Sequence, residues 1–155
     1  MSTDMLIPST THSVVILMAD DDPDDRLMAK EALEASGLLN EMRFVEDGVE
    51  LFHYLEQRGH YQEAPCPGLI LLDMNMPRKN GREALKELKN HQDFKHIPVV
   101  ILTTSQAEED VRLGYELGAS SYITKPVTFE GLVAVMQSLG QYWLEIVRPP
   151  DEMER

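Results

Sequence analysis

The sequence predicts an α/β fold, a doubly wound five-stranded parallel sheet with helices on both faces. Two observations carry this. Short strand-like runs, unbroken and apolar at residues 14–19, 69–72 and 99–102, alternate five times in all with segments whose apolar residues recur at helical spacing, as in strands covered on both faces and joined by crossover helices. Acidic, hydroxyl and amine side chains gather just after those runs, and in such sheets ligands bind at the carboxyl ends of the strands.

The elements follow in order. Residues 14–19 form the first apolar run, which ends in Asp20, Asp21 and Asp22 before Pro23. A proline followed by acids suits a helix N-terminus. The helix over residues 24–36 places Leu27, Met28, Ala32 and Leu33 on one face, with Gly37 as its stop. Residues 42–45 form the second strand, and residues 49–57, with Leu51, Phe52 and Leu55, the second helix. A loop through Gly59 and APCPG leads to residues 69–72, the most apolar short run, which ends at Asp73. Pro77 and Gly81 mark a turn into a helix carrying Ala84, Leu85 and Leu88. Residues 99–102 form the fourth strand, ending at Thr103, and a helix over 107–117 stops at Gly118. A short strand over 122–124 ends at Lys125 and Pro126, and the last helix begins near Thr128 and runs to about Val147.

At 155 residues the chain suits one domain. Residues 1–12 read as a flexible tail, 13–147 as the globular domain with an extended C-terminal helix, and 148–155 as a second tail. The net charge of -13, from 27 acidic against 14 basic side chains, repels phosphate backbones and anionic lipids. Neither nucleic acid nor membrane is expected as a partner. No run approaches the roughly 18 apolar residues of a spanning helix, and the N-terminus lacks a basic start followed by an apolar run, so a cytoplasmic location is expected. Cys66, the only cysteine, lies between two prolines and reads as a loop residue. The histidines, among them the pairs His53 and His60 and His91 and His96, show no ligand spacing. Met28, Met74 and Met136 fall in core-packing segments, and Arg78 and Lys79 form a loop charge pair too short for a nucleic-acid patch.

Asp20, Asp21, Asp73, Thr103 and Lys125 all stand at the ends of predicted strands, so the fold brings them to one rim. Three converging carboxylates repel one another unless positive charge sits among them. Lys125 and a magnesium ion supply it, with Asp21, Asp73 and the backbone carbonyl of Asn75 as candidate ligands. A carboxylate beside a bound metal can attack phosphorus to give an acyl phosphate, which makes Asp73 the candidate nucleophile. Thr103 would donate its hydroxyl to the new phosphoryl group. The bland alternative for the cluster DDDPDD is acids at a helix N-terminus, worth ~0.3 to 1 kcal/mol each. Convergence with the other strand ends favours the metal for Asp20 and Asp21, while Asp24 and Asp25 are left to the helix terminus. Tyr122 alone reads as a half-buried strand aromatic.

The runs VVILMADDDPDD, LILLDMNMPRKNG, IPVVILTTS and GASSYITKP, in this order and spacing, resemble the response-regulator receiver family over about residues 14–147. The resemblance implies the flavodoxin-like strand order 2-1-3-4-5. It implies Asp20 and Asp21 as the acidic, metal-holding pair, Asp73 as phosphoacceptor, Thr103 as switch hydroxyl, Tyr122 as switch aromatic and Lys125 as phosphate partner. It also implies a cis peptide between Lys125 and Pro126. The segments GHYQEAPCPG, NMPRKNGREAL, LTTSQAEEDV and QYWLEIVRPP are similar to single-domain regulators paired with cyanobacterial and bacterial phytochromes. The departures are Ala19 before the acidic pair and Asp22 where such proteins often carry an amide.

The expected function is a phosphoswitch rather than an enzyme. A sensor histidine kinase, of phytochrome type by the narrower resemblance, would phosphorylate Asp73 in a magnesium-dependent reaction. Thr103 and Tyr122 would then rearrange, and the fourth helix, fifth strand and fifth helix would carry the message to a protein partner. Two rivals are weighed. A phosphatase of haloacid dehalogenase type would need an acid two residues after the nucleophile, where Asn75 stands. A pseudo-receiver scaffold would not need the intact acid, hydroxyl and lysine set. No output domain follows residue 147, so the output is expected to be another protein. Beyond Gly140, Tyr142, Trp143, Ile146 and Val147 form a second apolar stripe. The bland alternative is that these four fold back over their own domain, against the loop around Tyr61. Exposed aromatics at helical spacing favour an interface, so a homodimer through that segment with the fourth helix and fifth strand is expected.

Overall fold

The structure, a computed structural model, describes residues 14–104 and 108–141. Five strands, β1 (Ile16–Ala19), β2 (Met42–Val45), β3 (Leu69–Leu72), β4 (Val99–Thr103) and β5 (Ser121–Thr124), alternate with α1 (Pro23–Ala35), α2 (Gly48–Leu55), α3 (Gly81–Lys89), α4 (Glu108–Glu116) and α5 (Phe129–Leu139). The strands form one parallel sheet in the order β2-β1-β3-β4-β5, which is the order 2-1-3-4-5. β1 is central enough to pair on both sides, Ala19 opposite Val45 and Leu72. This register brings the strand ends level.

The unbroken apolar runs exist because both faces of the sheet are covered. Leu17, Ala19, Ile70, Leu72, Val99 and Ile101 face one core, closed by residues of α2 and α3. The alternate residues Ile16, Met18, Leu69, Leu71, Val100 and Leu102 face the other, closed by Ala29, Ala32 and Leu33 of α1 and Leu132, Met136 and Leu139 of α5.

Local chemistry sets the helix ends. Asp22 caps α1 by accepting from the Asp24 N–H at 2.9 Å, with Pro23 at the first helical position. Gly37 ends that region with φ +87°. Asp47 caps α2, Asn80 and Glu83 form a reciprocal capping box on α3, and Thr128 caps α5.

Three expectations need correction. The buried stripe of α1 is Ala29, Ala32 and Leu33, whereas Leu27 and Met28 are 55% and 39% exposed. Helix geometry puts Leu27 opposite that stripe and Met28 at its margin, and the two alanines let the helix sit close to the sheet. α2 stops at Leu55 rather than running to Gln57, because Gln57 itself has φ +57°. The Lys125–Pro126 peptide is trans, against the expected cis form. Trans is intrinsically favoured by ~0.5 to 1 kcal/mol, and the Lys125 amine reaches its carboxylate partners from that backbone. The expected tails, the start of the fourth helix at Ala107, and Tyr142, Trp143, Ile146 and Val147 lie outside the described residues.

Candidate functional site

Backbone bonds carry the ladder one step past the strands. The Asp20 N–H donates to the Val45 carbonyl at 3.0 Å, the Asp73 N–H to Ala19 at 3.1 Å and the Lys125 N–H to Thr103 at 2.8 Å. Asp20, Asp73 and Thr103 are thereby fixed side by side and buried, while Asp21 and Asn75 are exposed at the rim.

Both Asp73 oxygens are engaged. Oδ1 accepts from the Thr103 hydroxyl at 2.7 Å and from the Asn75 N–H at 3.2 Å. Oδ2 lies 3.3 Å from the Lys125 ammonium. That ammonium donates more closely to Asp20 Oδ2, at 2.6 Å, and to Asp25 Oδ2, at 2.8 Å. Asp20 Oδ1 accepts from the Asp22 N–H at 2.9 Å, and the Asp20 carbonyl accepts from Arg26 Nη1 at 2.6 Å.

The electrostatics follow from this crowding. Burial pushes the Asp20 carboxyl above its ordinary range, against the pull of Lys125 and the Asp22 N–H. Burial works against the Lys125 ammonium too, yet its bonds to Asp20 and Asp25 and the charge of Asp73 outweigh it and hold the amine above the ordinary lysine range. One amine faces several carboxylates, so the cluster keeps a net negative field. Oxygens of Asp20, Asp21 and Asp73 lie within 4.8 Å of one another. Hard oxygen donors at that spacing, two of the residues buried and one open to solvent, fit a small divalent cation that keeps part of its water.

The structure brings together Asp20, Asp21, Asp73, Thr103 and Lys125, with the Asn75 N–H turned onto Asp73. Tyr122 is apart from the cluster. It is half-buried in β5, its ring beside Gly114 of α4 and its N–H donating to the Tyr115 hydroxyl at 3.2 Å. Sequence reasoning missed Asp25, left to the helix terminus but bonded to Lys125. One signal pointed to it: Asp25 stands one turn before Ala29, on the face that α1 buries. Beside this corner a cavity of about 310 Å³ opens between Met18, Asp25, Met28, Leu102, Lys125 and Leu132.

A family model described as the response regulator receiver domain matches residues 16–137. Response regulator Rcp1 of Synechocystis sp. is 42% identical over 136 residues, 88% of this chain and 92% of Rcp1. The solved Mn(2+)-bound form of Rcp1 superposes with a TM-score of 0.79, covering 88% of this chain and 99% of that one at 42% identity. The phosphorylated cyanobacterial phytochrome response regulator RcpA superposes with a TM-score of 0.81 at 38% identity, covering 89% of this chain and 99% of RcpA.

Proposed function

The chain belongs to the response regulator receiver domain family, and we propose that it works as a phosphoryl-driven switch with no enzymatic output of its own. A sensor histidine kinase phosphorylates Asp73, and the altered surface signals to a protein partner. The observation that carries this reading is the buried Asp73 carboxylate, bonded by Thr103 on one oxygen and facing Lys125 on the other.

In the transfer an Asp73 oxygen attacks phosphorus, the phosphorus–nitrogen bond of the donor's phosphohistidine breaks, and its electron pair stays on the imidazole. The product is an acyl phosphate. A magnesium ion held by Asp20, Asp21, Asp73 and the Asn75 carbonyl would supply neutralising charge on the transferring oxygens. Lys125 holds the phosphoryl group from the other side by exchanging part of its hold on Asp20 and Asp25. The Thr103 hydroxyl, now donating to Asp73 Oδ1, turns to a phosphoryl oxygen, and Tyr122 repacks in the space beside Gly114. A phosphatase reading is disfavoured by Asn75, whose amide cannot transfer a proton.

Likeness to the phytochrome response regulator RcpA supports a phytochrome-type kinase as the donor, and with it a cytoplasmic location. No helix among the described residues is long and apolar enough to cross a membrane. A homodimer through the C-terminal segment, α4 and β5 completes the proposal, since Tyr115 is 50% exposed on that side.

Amide NMR with acetyl phosphate and magnesium tests the switch. Thr103 and Tyr122 shift in the wild type. In Lys125→Ala, Asp73 is still labelled but Tyr122 stays in place, because a charge-assisted bond of about 1.5 to 3 kcal/mol is gone. Equal Tyr122 shifts in both proteins would refute the relay.

A further inference from the structure

Outside the carboxylate cluster, Asp47 is a buried acid with no part in the chemistry above, at 5% exposure. Its Oδ1 caps α2 through the Glu50 N–H at 2.8 Å. Its Oδ2 accepts from Arg78 Nε and Nη2, both at 2.8 Å. Arg78 has φ +63°, a left-handed backbone that a β-carbon disfavours. It sits in the loop that leads from Asp73 through Asn75 to α3. The next residue is fastened as well. The Lys79 carbonyl accepts from the Gly48 N–H at 3.0 Å, and a β-carbon at Gly48 would stand 2.5 Å from that oxygen. The Lys79 ammonium lies 4.8 Å from the Phe52 ring centre. At the far end the Gly81 N–H donates to the Met74 carbonyl at 3.1 Å, and a β-carbon there would stand 2.3 Å from the Asp73 carbonyl.

The arginine side chain is 59% exposed while the carboxylate it holds is 7% exposed, so solvent screens the arginine end of the pair and the carboxylate end lies inside the protein. A strained backbone persists only where the surroundings over-determine it, and such strain gathers where geometry serves function. Every contact named here fixes where the loop lies, and the loop carries Asn75.

We propose that Asp47 and Arg78 form a clasp between α2 and this loop, acting as positioning residues that preset the loop for the divalent cation at Asp20, Asp21 and Asp73. The proposal rests on the metal site proposed above. Arg78→Gly separates position from stability, because glycine accepts the positive φ while the clasp is lost. Manganese binding is read by the electron paramagnetic resonance of the free ion. It weakens about tenfold in Arg78→Gly, as when a group that orients a metal ligand is removed, and Arg78→Lys recovers part of the loss. In the metal-free protein the Gly48 amide exchanges faster with solvent deuterium in Arg78→Gly, and relief of the positive φ offsets the loss of the buried Asp47 carboxylate's partner, so the melting temperature changes little. A wild type that binds no manganese would remove the metal site and the clasp's purpose together. A wild type that binds, with Arg78→Gly binding as tightly, would sink the clasp alone. Lost affinity accompanied by a lower metal-free melting temperature would also overturn it, since the arginine would then be supporting the fold.

Discussion

The Lys125 amine lies 2.8 Å from Asp25 and 3.3 Å from Asp73, so in the unphosphorylated protein it leans toward α1. A phosphoryl group on Asp73 has to draw it across, and Asp25 opposes that movement. Asp25→Asn is therefore expected to raise the phosphorylated fraction at fixed acetyl phosphate and magnesium. With the Asp25 side chain 34% exposed, the bond is worth about 1 kcal/mol, or roughly fivefold. Phosphate-affinity gel mobility measures the fraction, and a decrease would mean that Asp25 orients the amine for transfer. Asp20, Asp73, Thr103 and Lys125 were legible because each stands at the carboxyl end of a predicted strand. Asp25 was not, because an acid in a first helical turn already has a sufficient local reason and its partner lies 100 positions away. Asp47 was hidden in the same way by its capping role.

Among the elements, β2 and β3 have the bounds that the sequence suggested, since Met42–Val45 and Leu69–Leu72 are runs closed by polar residues or turns. α1 was harder to orient. Its apolar residues fit more than one stripe, and the choice of Ala29 over Leu27 is made by the sheet surface rather than by the helix. α5 buries Leu132, Met136 and Leu139 in one core, and Gly140 packs against the Leu38 methyl groups, one of which a β-carbon would meet at 2.8 Å. The apolar residues Tyr142, Trp143, Ile146 and Val147 follow in sequence. The proposed dimer places them in an interface with α4 and β5. Sedimentation at micromolar concentration is expected to show a dimer for the wild type and a monomer for the double variant Trp143→Ala, Ile146→Ala. A wild type that stays monomeric with and without phosphorylation, or a double variant that dimerises equally well, would reject that interface.

At the scale of the whole molecule, one parallel sheet turns residues spread from Asp20 to Lys125 into neighbours. The strand order was legible through the resemblance carried by four short runs, and the rim through the ligand rule for such sheets. The contacts across the rim were not, because they depend on side-chain directions that apolar runs do not encode. The net charge of -13 adds a field that opposes anionic donors, so the proposed transfer would depend on local positive charge, from Lys125 and a bound cation, at the rim. The central claim is that this rim makes Asp73 a magnesium-dependent phosphoacceptor. Intact-mass measurement under mild conditions, after incubation with acetyl phosphate and magnesium, tests it most directly. One phosphoryl group on the wild type, none on Asp73→Asn and none after chelation of the magnesium is the result predicted. An equal gain on Asp73→Asn, or a gain that survives chelation, would contradict it.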